Sequence, residues 1–389
     1  WPGLENGTDA PKEEVSARFL KKKGKLSASG YQEMVWVDEN GNEVEESADD
    51  SADTGVTYGL RETFPSRYSM EELGELPAVR NQGRWGTCWA HAALSSIETN
   101  MVKKGLVGAA DVDYSERHLA YFSHRRNNTA GDGEDNYDDT YGWYGGGSYF
   151  QAIAELSGWY GAASESDFPY DSYGDMEDLT EDERSSSVSH MTNANILSKP
   201  EEIKRSVMEN GAVMCSFHSG SGTLSTAEVN VYNAERRVTD HAVSIVGWDD
   251  SYPKTKFDDN GRSPAQDGAW RCRNSWGGDW AEAGYFWISY EDASIGAFCS
   301  FEAENADNYD HIYQYDGADY GIAMSYEKAA NVFCAEGAQE LRAVSFQVQH
   351  AYDYVIEVYV EGEEEMTLPS DGILLCRQHR KKGRAPAFQ

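Results

Sequence analysis

Downstream of Thr63 the chain shows two successive hydrophobic periods, and the first is helical. Behind Cys88, the apolar residues Ala90, Ala93, Leu94, Ile97 and Met101 recur at the spacing of one helix face, and Lys103, Lys104 and Gly105 supply last-turn charge and a stop. A long helix is therefore expected to begin at the cysteine. SERHLAYFSHR predicts a second helix capped by Ser115, SYFQAIAEL a third from Ser148 after a triple-glycine turn, and KPEEIKRSVMENG a fourth, with Pro200 in its first turn and Gly211 at its end. Beyond it the period falls from about 3.6 to about 2 residues. AVMCSFHS, HAVSIVGWDD, AWRCRNSW and YFWISYE read as strands, with turns at 259–262 and at Gly277-Gly278. Helices first and strands afterwards predict an α+β class, a helical lobe packed against an antiparallel β lobe.

From about Asp307, AVSFQVQH and YVIEVYVEG alternate as strands of a separate small all-β domain, and the basic RQHRKKGRAPAFQ breaks that pattern. At the other end, residues 1–62 carry little core pattern: MVWV with DENGNEVEE predicts a hairpin around Asn40-Gly41, and EESADDSADTG an acidic linker. The expected division is an N-terminal extension or pro-segment over 1–62, an α+β domain over 63–303, an incomplete β domain over 304–376 and a basic tail over 377–389.

Composition narrows the partners. In 389 residues there are 33 Lys and Arg against 67 Asp and Glu, a net charge of −34 that repels phosphate backbones and anionic lipid, so nucleic acid is not an expected partner. No apolar run approaches the roughly 20 residues that span a bilayer, and no transmembrane segment is expected. A start at Trp1 rather than Met suggests a processed N-terminus and a secreted or cell-surface protein. The cysteines at 88, 215, 272, 299, 334 and 376 form no CxxC pair or zinc spacing, and the acidic run DGEDNYDD lacks the spacing of an EF-hand loop. Neither a metal nor a cofactor is expected.

Candidate chemistry gathers around RNQGRWGTCWAHAALSSIE. A thiol at a helix N-terminus meets unpaired N–H groups that favour its thiolate, and an imidazole partner favours it further. The Cys88 N–H is itself free to bind an oxyanion, and Gln82 offers a side-chain amide as the second donor. His241, at the polar start of the apolar strand HAVSIVGW, is the candidate base; the Asn274 carbonyl in RNSWGG can fix its tautomer, and the Trp276 ring can shield that bond from water.

QGxxGTCWA around Cys88, DHAV around His241 and RNSWG around Asn274, in that order, resemble the papain-like cysteine peptidases, over about residues 63–303. The resemblance implies a two-lobe papain-like fold, with Cys88 as nucleophile, His241 as general base and acid, Asn274 as orienter and Gln82 as oxyanion donor. It also implies that GGGSYF and FPY line a substrate cleft in which Gly146 and Gly147 offer backbone groups to an extended peptide beside Trp276. Peptide-bond hydrolysis through an acyl-enzyme, acting on a peptide or protein substrate, follows. The segment beyond, with YDGADYG and ANVF, resembles the lectin-like β domain of some bacterial members, which implies a glycan or surface ligand. A surface-binding module on a silent or latent peptidase scaffold is the alternative. Three departures stand out: Trp85 where the family usually carries a disulfide cysteine, His91 where an aromatic residue is usual, and a polar insertion between His241 and Asn274.

Overall fold

The computed structural model describes residues 34–35, 64–123, 142–174, 176, 178–220, 228–314, 330–344, 354–360 and 373–380. The chain divides into two units: Trp1–Thr63 with Ile322–Pro386, and Phe64–Gly321 with Ala387–Gln389. In the first unit lies strand β1 (Met34–Val35). The second begins with β2 (Arg67–Ser69), followed by α1 (Cys88–Lys103), α2 (Glu116–Ser123), α3 (Tyr149–Ser157), β3 (Ser189–Leu197) and α4 (Pro200–Glu209). Strands β4 (Val213–Phe217), β5 (Asn230–Val231), β6 (His241–Asp249), β7 (Ala269–Arg273), β8 (Tyr285–Ser289) and β9 (Gly296–Asn305) complete it.

The four expected helices form with their expected caps: the Ser115 hydroxyl accepts from His118 N–H at 3.0 Å, and Ser148 closes a capping box with Gln151. Strand order is β3-β9-β4-β6-β7-β8-β5, with β2 added on β6. The sheet is mixed rather than wholly antiparallel as expected, because β5 runs parallel to β8. Nor do helices simply precede strands, since β3 comes before α4 and pairs with β9, neither of which the periodicity reveals. β3 hides because its buried positions include Asn193 and Asn195, whose amides both donate to Glu302 at 3.0 and 3.1 Å. Polar side chains whose amides find such an acceptor can face inward, and then alternation of hydrophobicity no longer marks the strand.

Helix α1 is enclosed rather than amphipathic. Trp89, Leu94, Ile97 and Met101 pack against Leu119, Ile153, Leu156 and Phe301, and the polar residues between them are buried too. Those polar groups clamp the helix to its surroundings: Ser96 Oγ accepts from Phe301 N–H at 3.0 Å, Asn100 Oδ1 from Ala303 N–H at 2.9 Å and Thr99 Oγ1 from Ala212 N–H at 2.8 Å. Each such bond contributes about 0.5–1.5 kcal/mol net, and each large apolar side chain about 1.5–3 kcal/mol. A second core of Val207, Phe217, Val243, Ile245, Trp248 and Phe286 lies elsewhere in the same unit. Between β6 and β7 the antiparallel register sets Ser244 opposite Arg273, so the start of β6 lies beside the residues that follow β7.

In the other unit, β1 pairs with β11 (Ile373–Arg380), and β11 with β10 (Tyr354–Val360), all antiparallel. The domain edge expected at residue 376 falls inside β11, whose basic residues continue the strand to Arg380. Met34–Val35 pairs there, so part of the expected extension shares a sheet with the C-terminal strands; the remainder of the expected hairpin lies outside the described residues. The acidic linker, DGEDNYDD, YDGADYG, most of AVSFQVQH and the last nine residues also lie outside them. Among the described residues, no helix is long and apolar enough to cross a membrane.

Candidate active site

The turn before α1 is held from several directions. Gln82 N–H donates to Ser275 O at 2.8 Å and Gly86 N–H to Trp143 O at 2.7 Å. Gly83 sits at φ 59°, where a Cβ would fall 1.8 Å from Ser172 O, so no other residue fits. Tyr170 OH donates to Gln82 O at 2.9 Å and bonds Thr87 Oγ1 at 2.6 Å, tying both ends of the turn together. Trp85, in the place of the usual disulfide cysteine, donates its indole N–H to Asp171 O at 2.8 Å under the Arg84 guanidinium, so a hydrogen bond and a cation–π contact serve there. Cys88, Cys215, Cys272, Cys299 and Cys334 are all free thiols.

As the first helical residue, Cys88 keeps an N–H without an intrahelical acceptor. Its half-buried thiol behaves differently from expectation. Burial pushes it up, while the N–H groups of Ala242, Trp89 and Cys88 itself pull the other way without prevailing. The helix terminus is present, but desolvation outweighs it.

The Ala242 N–H beside the thiol is the one that follows His241. His241 is buried; its Nε2 lies 2.7 Å from Asn274 Oδ1, and its ring stacks on Trp276 at 4.7 Å with Phe217 edge-on at 5.8 Å. Because Asn274 Oδ1 also accepts from Ser275 N–H at 2.8 Å, it is fixed as an acceptor. Nε2 must therefore carry the proton, which leaves the Nδ1 lone pair as the basic site. Burial lowers the imidazole to about 4, against the pull of Asn274 and the Asp240 carboxylate.

Gln82 is equally oriented. Its Oε1 accepts from Ser275 Oγ at 2.7 Å and its Nε2 donates to Trp85 O at 2.7 Å, leaving one amide proton for another acceptor. Gly147 lies where a Cβ would meet the Trp89 ring at 2.5 Å, and Gly146 N lies 3.1 Å from the Cβ position of Gly86, so the glycine run borders the cysteine turn. Thr87, Ser275 and Tyr170 were not singled out from sequence, although they lie inside the motifs QGxxGTCWA, RNSWG and FPY. Among the described residues no cluster of three His, Cys, Asp or Glu side chains could hold a metal ion.

Further along α1 the seam with the sheet is charged. Glu98 is buried between Arg80 at 3.1 Å and Arg273 at 3.7 Å, and Asp113 holds Arg80 at 2.6 Å. Burial pushes Glu98 up to about 7, the two arginines opposing, and Glu116 also to about 7.

Comparison with known proteins matches this architecture. The family model described as papain family cysteine protease covers residues 64–308. Vignain of Ricinus communis is 24% identical over 230 residues, 59% of this chain and 55% of that protein. Procathepsin L of Felis catus is 25% identical over 226 residues, 57% of this chain and 60% of that protein. Among solved structures, the cysteine protease and lectin-like domains of Cwp84, a surface layer associated protein of Clostridium difficile, align with 26% identity and a TM-score of 0.53, covering 63% of this chain and 53% of that one. The chain thus spans less than two thirds of the length of each of these proteins.

Proposed function

The chain belongs to the papain family of cysteine proteases, and from that premise we propose that it hydrolyses peptide bonds through Cys88, His241, Asn274 and Gln82. The carrying observation is the 2.7 Å bond from His241 to Asn274, with the N–H of the next residue, Ala242, on the Cys88 sulfur. Burial raises the Cys88 thiol and lowers the His241 imidazole, and the thiol proton passes to His241 as attack proceeds. Cys88 Sγ bonds to the substrate carbonyl carbon as its proton passes to His241 Nδ1. The oxyanion then lies against the Cys88 N–H and the free Gln82 amide proton. On collapse the C–N bond breaks, the leaving amine takes the proton from His241, and a thioester remains. Water, losing a proton to His241, attacks the thioester; the acid product leaves and the thiol is restored. Gly146 and Gly147 would receive the extended peptide backbone beside Trp276.

By likeness to Cwp84, the strands of Ile322–Pro386 are read as a lectin-like β domain that takes a glycan or surface ligand, in a secreted or cell-surface protein. A silent scaffold is disfavoured by a His241 tautomer fixed for proton transfer. Mass-spectrometric profiling of a peptide library tests the reaction: cleavage by the wild type and none by Cys88→Ala is expected, and equal cleavage by both would refute it.

A further inference from the structure

Where α1 faces β6 and β7, next to Asn274, lies a small cavity whose wall includes Arg80, His91, Ser95, Ser244, Arg273 and Asn274. Three polar atoms on that wall, Arg80 Nε, His91 Nε2 and Ser95 Oγ, are buried with no hydrogen-bond partner among the described residues. His91 and Ser95 are 6% and 3% exposed, so bulk solvent does not serve them. Buried polar atoms in folded proteins normally find partners, and three unpartnered ones on residues that line one space point to an occupant.

The chemistry of that occupant follows from the donors and acceptors. His91 Nδ1 lies 3.0 Å from Thr87 O, which can only accept, so Nδ1 carries the proton and Nε2 offers a lone pair. The ring is held in plane by Tyr170, edge-on at 5.0 Å, and the Glu116 carboxylate at 3.8 Å is too far for a direct bond to Nε2. Arg80 Nε can only donate, and Ser95 Oγ can do either. An occupant must therefore donate to His91 and accept from Arg80. A simple anion fails the first requirement. Charge does not favour one either, since Arg80 and Arg273 are already answered by Glu98 and Asp113.

We propose that the cavity is a seat for ordered water held by His91, Ser95 and Arg80, and that His91 acts through this water as a positioning residue for the Asn274–Ser275 segment. The water seat stands on its own geometry, whereas the positioning role rests on the peptidase reading. Asn274 fixes the His241 tautomer and Ser275 fixes Gln82, so a shift of this segment would disturb both the base and the oxyanion donor. An apolar aromatic ring at residue 91 would line the space without offering any polar partner.

A crystal structure of the full chain at a resolution that shows water, with parallel crystals grown in bromide, tests the seat. Density for water within about 3 Å of His91 Nε2, Ser95 Oγ and Arg80 Nε is expected; a dry cavity or an anomalous bromide peak there would overturn it. For the role, His91→Phe should expel the water and lower kcat about tenfold with KM nearly unchanged, and His91→Gln, which keeps an acceptor, should restore most of the loss. Unchanged kcat in His91→Phe would overturn the positioning role. Should His91→Phe fail to fold, Ser95→Ala is read the same way, with a loss of about threefold expected and no loss contradicting the role. Water in place but no cleavage by the wild type would support the seat and overturn both the peptidase reading and the positioning role.

Discussion

At one end of the seam between α1 and the sheet lie Cys88 and the side chains of His241, Asn274 and Gln82, the last three oriented by hydrogen bonds at 2.7–2.8 Å. Further along the same helix the seam buries Arg80, Glu98 and Arg273. Burial acts alike on both: it lowers His241 to about 4 and raises Glu98 to about 7, disfavouring charge in each case. The difference lies in the answering charges. Two arginines flank Glu98, whereas beside Cys88 and His241 the Asp240 carboxylate favours charge on His241 and opposes it on Cys88. The charged end ties α1 to Arg80 and Arg273 through ion pairs, and in the proposed mechanism the other end passes a proton.

Substitutions should separate the two ends. Cys88→Ala or His241→Ala should cost at least about 10⁴-fold in kcat/KM, while Glu98→Gln should keep kcat within about threefold in the molecules that remain folded. Comparable losses at both ends would erase the distinction. Gln82→Ala should lower kcat by about 10²–10³-fold, read by steady-state kinetics, because one oxyanion donor is lost. Next comes pH. His241 works as a neutral base, so kcat/KM should rise as pH passes upward through about 4, and an acid limb near the ordinary 6.5 would mean that the imidazole is not buried in solution.

The smallest effect concerns stability. Glu98 has a folded value of about 7, above the ordinary carboxylate value of 4.5. Its contribution is therefore fully present below 4.5 and lost as pH rises through about 7. Denaturant unfolding of the wild type relative to Glu98→Gln should show the wild type losing ground across that window; a constant difference would count against a raised Glu98.

Much of this was legible in the sequence because it is local. The apolar spacing after Cys88 predicts α1, and the motifs named His241 and Asn274, which lie 2.7 Å apart. What was not legible depends on distant partners. β3 was hidden because its inward-facing Asn193 and Asn195 donate to Glu302, more than a hundred residues away. β1 finds its partner in β11 near the other end of the chain, which no turn signal announces. The rise of the Cys88 thiol was missed for a similar reason: helix position is readable along the chain, and burial is not. Ser275 shows the same limit inside a recognised motif, because its bonds to Gln82 cross 193 positions.

The central claim is that the Cys88 sulfur and the His241 imidazole act on one proton. Labelling by a thiol-directed epoxide, mapped by mass spectrometry in the wild type and in His241→Ala, tests it most directly. The account predicts a single fast adduct on Cys88 in the wild type, slowed by at least about a hundredfold in His241→Ala at neutral pH. Equal labelling rates in the two proteins, or an adduct on another cysteine, would contradict it.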